Sequence, residues 1–203
     1  MKYLVLLFIG ISSATFAQSY KDEIAKHREE YKADFIKESR SPLREVDFKD
    51  LHFFDADSTF NIIGKVKVLK NEKVFKMPTY DGTSKEFIRY AKVFFKIDGK
   101  NLELTLYRNI GLMINPAYRN LLFLPFTDLT NNKTTYGGGR YIDLDLKDIK
   151  NKQLVIDFNK AYNPYCAYSD GYSCPIPPKG NHMTVAIEAG EKNFGKEHSL
   201  IGE

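Results

Sequence analysis

Apolar and polar residues alternate along much of the chain after Leu51, and a period of two is typical of strands with one buried face. The clearest alternation runs through residues 87–97. Asp98-Gly99 follows, a pair that favours a two-residue hairpin turn, and alternation resumes over 101–107. These patterns predict a β-hairpin. Further strands are predicted at 62–69, 121–126, 140–146, 153–158 and 183–189.

A helical spacing precedes the strands. Residues 20–38 contain no glycine or proline and place Ile24, Tyr31 and Phe35 on one stripe, so they predict a helix that packs this stripe on the domain. Ser41-Pro42 ends it. Because no helices alternate with the strands, the pattern argues against a doubly wound α/β fold. The predicted class is mainly β (α+β): an antiparallel β-sandwich or a partly open barrel with an N-terminal helix, two architectures that the pattern leaves open.

The first residues have the order of a secretion signal. Lys2 is followed by an apolar run over 4–11, too short to span a bilayer, and small residues precede a cleavage site after Ala17. We therefore expect residues 1–17 to be a signal peptide and residues 18–203 to be one β-rich domain. The protein is then exported, to the periplasm, the cell envelope or the medium, and does not span the membrane.

Charge changes this picture little. The chain of 203 residues has 30 Lys and Arg against 26 Asp and Glu, a net charge of +4, of which Lys2 would leave with the signal. The basic residues are interspersed with acids rather than clustered, which argues against a nucleic-acid partner. No cofactor-binding motif is present, so we predict no cofactor.

The two cysteines, Cys166 and Cys174, predict a disulfide in an exported chain. Closing this nine-residue loop is worth about 2.5 kcal/mol on the loop-entropy model. Free thiols and a metal site that includes His182 are the alternatives. Zinc sites usually have a tighter cysteine spacing, so we predict no metal site. Cys166 could also act as a nucleophile with His182 as its base.

The segment 136–178 is rich in Tyr, Asn, Gly and Pro, a composition that builds irregular loops rather than core. We predict that it binds an unknown small molecule or a peptide without catalysis, and that Arg140 neutralises an anionic group there. On that hypothesis Arg140→Ala abolishes binding and changes the melting temperature little. The other predicted contacts are aromatic walls and amides: Tyr136, Tyr141, Tyr165, Tyr168, Asn159 and Asn163.

Structural alternatives account for the same residues. Gly137-Gly138-Gly139 lacks the ending of a phosphate-binding loop and could be a turn whose Arg140 pairs with Asp143 or Asp145. The amides could instead cap main-chain groups within a long loop.

Two other classes of function remain open. The acids Asp143 and Asp145 are two positions apart in a predicted strand and could divide acid and base roles in a hydrolase. Asp157 and Glu191 are further acid–base candidates. The third class is an envelope protein whose aromatic loop contacts another protein.

Several motifs together resemble a family of bacterial and archaeal proteins, domain-of-unknown-function family 1684. The motifs are Ser41-Pro42-Leu43, Leu51-His52-Phe53-Phe54, Leu104-Thr105-Leu106-Tyr107-Arg108, Leu122-Phe123-Leu124-Pro125-Phe126-Thr127-Asp128, Thr135-Tyr136-Gly137-Gly138-Gly139-Arg140-Tyr141-Ile142-Asp143-Leu144, Asp157-Phe158-Asn159, Tyr162-Asn163-Pro164-Tyr165-Cys166-Ala167-Tyr168 and Cys174-Pro175-Ile176-Pro177-Pro178. The resemblance implies no activity and no catalytic residues. It also weakens a metal or catalytic role for His182, because family members usually have a leucine or a similar residue there.

Overall fold

The structure, a computed structural model, describes residues 10–196, with side chains from residue 18. Residues 1–9 of the predicted signal peptide lie outside this range. The helices are α1 (Gly10–Lys37) and α2 (Ile110–Met113), and the strands are β1 (Asn61–Val68), β2 (Phe75–Pro78), β3 (Ser84–Ile97), β4 (Lys100–Asn109), β5 (Leu121–Phe126), β6 (Arg140–Asp145) and β7 (Gln153–Asp157). Strand β2 was not predicted from the sequence.

The strands form one antiparallel sheet in the order β6-β5-β4-β3-β1-β7, and β2 pairs with the beginning of β3. The predicted hairpin is confirmed, since β3 and β4 pair around a turn in which Asp98 has φ 50° and Gly99 has φ 75°. Across the described residues, β6 and β7 pair with other strands and not with each other. The sheet is therefore a curled half-barrel that stays open between these two strands, which agrees with one of the two architectures that the sequence left open.

The two faces of the sheet carry different clusters. The inner face forms the main core, to which every central strand contributes buried apolar side chains. The outer face carries a smaller, mostly aromatic cluster: Met77, Phe87, Tyr107, Phe123 and Tyr141. Its rings are in contact, with the centroids of Phe123 and Tyr141 4.7 Å apart. A sheet that buries aromatic rings on its outer face needs a cover there.

Helix α1 packs against this domain through the stripe that the sequence predicted. Ile24 and Phe35 are buried, and Tyr31 is partly buried. The Tyr20 hydroxyl donates a 2.9 Å hydrogen bond to Asp157, which connects the helix to the end of β7. No helix in residues 10–196 combines the length and the apolar character needed to cross a bilayer.

Asn181 completes the sheet where β4 and β5 separate. These strands share the pair Tyr107 and Phe123, and beyond it the fully buried Asn181 side chain lies between them. Its oxygen accepts from the Thr105 amide at 2.8 Å, and its nitrogen donates to the carbonyls of Thr105 at 2.9 Å and Pro125 at 2.7 Å. One side-chain amide thus replaces the missing strand–strand hydrogen bonds.

The strand predicted at 183–189 is wrong, although its alternation is real. Met183, Val185, Ile187 and Ala189 are buried and the residues between them are exposed, yet the segment forms no ladder with any strand. Isolated main-chain hydrogen bonds to Thr127 and Leu129, and bonds to side chains described below, take the place of a ladder.

Candidate functional site

A groove of about 1560 Å³ lies between α1 and the sheet, where the half-barrel is open. Residues of α1, of both edge strands β6 and β7, and of the loop 162–175 line it. This volume exceeds the roughly 300–1,000 Å³ of ordinary ligand pockets. The groove is thus large enough for a ligand longer than a typical metabolite.

Asp143 is the carboxylate that β6 contributes to this groove. Its side chain is solvent-accessible, and one oxygen accepts a 2.9 Å hydrogen bond from the Tyr162 hydroxyl. Protein atoms crowd it, and the resulting loss of hydration raises the pKa of Asp143 to about 6, although the Tyr162 hydrogen bond acts in the opposite direction. No Lys, Arg or His in residues 18–196 forms an ion pair with it.

Tyr141 and Tyr162 form the aromatic wall next to this acid. Their main chains exchange hydrogen bonds of 2.9 and 3.0 Å, and their rings meet edge to face with centroids 5.8 Å apart. The Tyr141 hydroxyl donates to the Pro175 carbonyl. Burial raises the pKa of both phenols, so both stay protonated and can donate hydrogen bonds at neutral pH.

Tyr165, Tyr31 and His27 complete the part of the groove near α1. The Tyr165 ring lies 5.7 Å from that of Phe35 and 5.2 Å from that of Tyr172. Burial, followed by the charge of Lys160, lowers the pKa of His27, which keeps its imidazole neutral at pH 7.

Arg140 lies away from the groove and is fully buried. The sequence suggested an ion pair with Asp143 or Asp145, but Arg140 pairs with Asp128 at 2.9 Å. The guanidinium also donates to the carbonyls of Ile187 at 2.9 Å, Glu191 at 3.2 Å and Ala189. These four bonds occupy both terminal nitrogens and fix the extended segment that the sequence predicted as a strand. Burial lowers the pKa of Arg140, and the charge of Asp128 opposes that shift.

The glycine run forms the turn that leads into Arg140. The Gly139 amide donates to the Tyr136 carbonyl at 3.1 Å, and Gly139 has φ 88°. A Cβ on Gly139 would lie 2.6 Å from the Phe126 carbonyl oxygen. The run therefore meets the needs of a turn packed against β5, and Tyr136, at its start, does not line the groove.

Asp145 does not join Asp143 in an acid pair directed at a ligand. Its carboxylate accepts from the Lys147 amide at 2.9 Å and caps the single turn that follows β6. Asp157 is buried and accepts from the Tyr20 hydroxyl and the Asn159 amide. These two acids serve local structure.

Asn159 is likewise enclosed by the protein. Its side-chain oxygen accepts from the Asp57 amide at 2.9 Å, and its nitrogen donates to the Asp57 carbonyl and the Tyr20 hydroxyl, both at 2.8 Å, and to Asp157 at 3.0 Å. It ties α1, the segment before β1 and the end of β7 together.

Glu191 is the centre of a second buried network. The hydroxyls of Tyr168 and Tyr31 donate to its carboxylate at 2.6 and 3.0 Å, and the main-chain amide of Asn163 donates at 2.9 Å. Burial raises the pKa of Glu191 to about 7 despite these three donors. Of the predicted binding residues, Asn163 and Tyr168 therefore belong to a network that holds α1, whereas Tyr141 and Tyr165 line the groove.

Cys166 and Cys174 lie at disulfide-bonding distance, with Cα atoms 6.2 Å apart, and the described chain has no other cysteine. This pairing leaves no free thiol for a nucleophile. Within residues 18–196, no three His, Cys, Asp or Glu side chains are arranged to hold a metal ion.

Tyr162, Asp128 and Asn181 are the important residues that sequence reasoning did not select. Tyr162 stands in the same motif as the selected Asn163 and Tyr165, but its contact with Asp143 depends on the pairing of Tyr141 with Tyr162. No local pattern in the sequence predicts that pairing.

Comparison with known proteins confirms the resemblance drawn from the motifs. A family model described as "Protein of unknown function (DUF1684)" matches residues 46–192, a span that includes all seven strands and begins after α1. The chain is also similar to an uncharacterised protein of Haloarcula marismortui with a solution NMR structure: 29% identity, 88% of this chain and 96% of that one covered, and a TM-score of 0.67. No curated protein matches it.

Proposed function

Since the chain belongs to the DUF1684 family, whose description assigns no function, the groove itself must indicate one, and we propose that it binds a small molecule or a peptide. The observation that carries this proposal is Asp143, a carboxylate without a cationic partner in the described chain, in a groove of about 1560 Å³ with aromatic walls. The Asp143 carboxylate is accessible to solvent, and so to a ligand, and no cation within residues 18–196 pairs with its charge. A ligand with a cationic or hydrogen-bond-donating group would supply the missing partner.

The expected contacts follow from the geometry. Tyr162 and Tyr165 are partly exposed and offer ring faces and edges, and aromatic faces attract ammonium and guanidinium groups. Asp143 would fix the position of the charged group. This reverses the sequence hypothesis, in which Arg140 attracted an anion, because Arg140 already has four partners.

A pair of probes that share one ring tests the proposal. Tyramine carries an ammonium group, and 4-hydroxyphenylacetate carries a carboxylate at the corresponding position. In nitrogen-15 NMR titrations, tyramine should shift the amide signals of groove residues and the carboxylate should not. Asp143→Asn should weaken tyramine binding, and Asp145→Asn, on the same strand, should leave it unchanged. If neither probe nor a broader set of amines shifts groove signals, the groove is not a binding site for such ligands.

A hydrolase is the second candidate, and one observation favours it. Asp143 has a pKa of about 6, close to neutral pH, and an acid–base catalyst works best when its pKa lies near the working pH. Turnover of glycoside or ester substrates that disappears in Asp143→Asn and persists in Asp145→Asn would establish it. A panel without turnover would leave binding as the function of the groove.

We also propose that the protein is exported and that residues 1–17 are removed. Lys2, the apolar run and Ala17 support this proposal, and the distance between Cys166 and Cys174 is compatible with an oxidising compartment. The intact mass of the protein from an exporting host tests it. We expect the mass of a chain that begins at Gln18 and lacks two hydrogens. The mass of the uncleaved chain would contradict the predicted signal peptide.

A further inference from the structure

On the edge of β6 that faces the groove, the main-chain groups of Asp143 have no partner among the described residues, whereas the Asp145 amide donates to the Asp148 carboxylate at 2.9 Å. Tyr141 exchanges both of its main-chain hydrogen bonds with Tyr162, on the side away from β5. Alternate residues of an antiparallel strand direct their main-chain groups to the same side. The amide and carbonyl of Asp143 therefore also point away from β5, and no group within residues 10–196 bonds to them.

The edge of β7 has the same property. Gln153 exchanges hydrogen bonds of 2.8 and 2.9 Å with Lys150, on the side away from β1. By the same alternation, the amide and carbonyl of Val155 point away from β1, and neither has a partner in the described chain. Proteins usually cover, bend or shorten strand edges because bare edges pair with other chains. Here both bare edges border one groove.

Apolar side chains lie beside these edges. Ile63 on β1 is 65% exposed and Val155 on β7 is 49% exposed, and both line the groove. Neighbouring strands pair them directly, residue for residue. Together they form an exposed apolar surface next to unpaired main-chain groups, which is the combination that a bound strand uses.

The Asp143 carboxylate favours extended chains that carry a positive charge. Asp143 carries its carboxylate on the same residue whose main chain is unpaired, and no cation within residues 18–196 pairs with it. A residue that pairs with Asp143 across an antiparallel ladder places its side chain on the same face of the sheet as the carboxylate. A lysine or arginine at that position would form a cross-strand ion pair.

We propose that the groove binds an extended peptide segment that carries a lysine or arginine, and that this segment pairs with the edge of β6 at Asp143, between the positions bonded to Tyr162 and Asp148, with its basic residue opposite Asp143. This inference rests on the proposed function and specifies its ligand. The peptide residue opposite Asp143 would exchange two main-chain hydrogen bonds with it, and its neighbours would contact Ile63 and Val155. The large volume of the groove suits several residues of extended chain better than one metabolite.

Four peptides of one length test the mode of binding. The first is acetyl-Val-Thr-Lys-Thr-Val-amide. The second replaces lysine by norleucine, which removes the charge, and the third replaces it by glutamate, which reverses the charge. The fourth carries an N-methyl group on the lysine amide, which removes one main-chain donor and blocks pairing on that side. Binding to the purified protein is measured by nitrogen-15 NMR titration.

The lysine peptide should shift the amide signals of Asp143 and Val155. Each of the other three should bind about tenfold more weakly or not at all, as expected for the loss of one charge-assisted pair or one ladder bond. Asp143→Asn should weaken the lysine peptide by about tenfold and leave the norleucine peptide unchanged. Asp145→Asn is the matched control on the same strand and should alter neither.

Two results would overturn the proposal in different ways. Equal binding of the N-methyl and parent peptides would exclude strand addition, and equal binding of the lysine and glutamate peptides would exclude charge selection. If tyramine shifts groove signals and none of the peptides does, the groove binds small ligands and the peptide inference is wrong. If neither tyramine nor any peptide shifts them, the proposed function fails as well.

Discussion

Arg140 and Asp128 form an ion pair of 2.9 Å in which neither side chain is exposed to solvent. Through the same guanidinium, Arg140 also bonds to three carbonyls of the segment from Ile187 to Glu191. A planar, permanently charged group with several donors suits such a junction, because it satisfies several acceptors at once. The arginine after the glycine run thus joins β6 to the segment that closes the core.

We predict that Arg140→Ala destabilises the protein strongly, because it leaves the Asp128 carboxylate buried without a partner. Removing one member of a buried pair typically costs about 3–5 kcal/mol of unfolding free energy. Urea unfolding followed by circular dichroism measures this loss. Arg140→Lys should restore only part of it, since a lysine cannot reach acceptors in several directions.

The control is Lys147→Ala, which removes the exposed ion pair with Asp145 at 3.7 Å. Such surface pairs contribute roughly 0–1 kcal/mol. Similar unfolding free energies for the Arg140 and Lys147 variants would contradict a structural role for Arg140.

Stability should decrease as the pH rises through the range in which Glu191 titrates. Its pKa is about 7 in the folded protein, against 4.5 for an unperturbed glutamate. Between these values the folded state binds more protons than the unfolded state, so each rise in pH lowers the unfolding free energy. The contribution is full below about pH 4.5 and is lost as the pH passes about 7.

Glu191→Gln removes this proton exchange and keeps a side chain that can bond to Tyr168 and the Asn163 amide. Urea unfolding at a series of pH values should therefore show a shallower decline for this variant. Asp143, whose pKa of about 6 is also raised, contributes in the same direction, so Asp143→Asn should be measured beside it. An unchanged slope in Glu191→Gln would show that Glu191 is already ionised in the folded protein.

Tyr162→Phe should raise the pKa of Asp143 further. The Tyr162 hydroxyl stabilises the ionised carboxylate at 2.9 Å, and the variant keeps the ring but removes this donor. Carbon-13 NMR of the side-chain carboxyl gives the titration directly. Tyr165→Phe, which removes a hydroxyl that has no bond to Asp143, should leave the pKa unchanged. A pKa that falls in Tyr162→Phe would mean that the hydroxyl does not stabilise the charged form.

Asn181→Ala should cost at least about 2 kcal/mol of unfolding free energy. It leaves the Thr105 amide and two carbonyls without their partner, and each unsatisfied buried group costs about 1–3 kcal/mol. Asn115→Ala, which removes an exposed cap at Ala117, is the comparison and should cost much less. Equal losses would show that β4 and β5 hold together without the Asn181 side chain.

Local patterns were enough for the hairpin, for α1 and for the mainly β class, but they missed β2 and left the choice between sandwich and barrel open. The alternation of 87–97 and 101–107 around Asp98-Gly99 predicted the hairpin, and the stripe of Ile24, Tyr31 and Phe35 predicted which side of α1 is buried. Such signals lie within one turn or one strand, and the chemistry of neighbouring residues determines them.

The site was harder to predict because its residues meet only in the folded chain. Arg140 pairs with Asp128, twelve positions earlier, and no sequence rule distinguishes that acid from Asp143 or Asp145. The segment 183–189 has the alternation of a strand, but a guanidinium rather than a neighbouring strand satisfies its carbonyls. Tyr162 reaches Asp143 because Tyr141 pairs with it, a contact set by the path of the main chain.

The bond between Tyr31 and Glu191 joins positions 160 residues apart, and α1 has further long-range partners, among them Asp157 and Tyr168. During synthesis α1 is therefore made early, and Glu191, to which it bonds, is made near the end. The apolar cluster around Phe35 includes Phe194, so it is complete only when nearly all of the chain has been made. Contacts of such high sequence separation form slowly, since much chain must be ordered before they close. A chain that stops short of Glu191 would lose the bond from Tyr31 to this carboxylate and would keep only those partners of α1 that come earlier, such as Asp157.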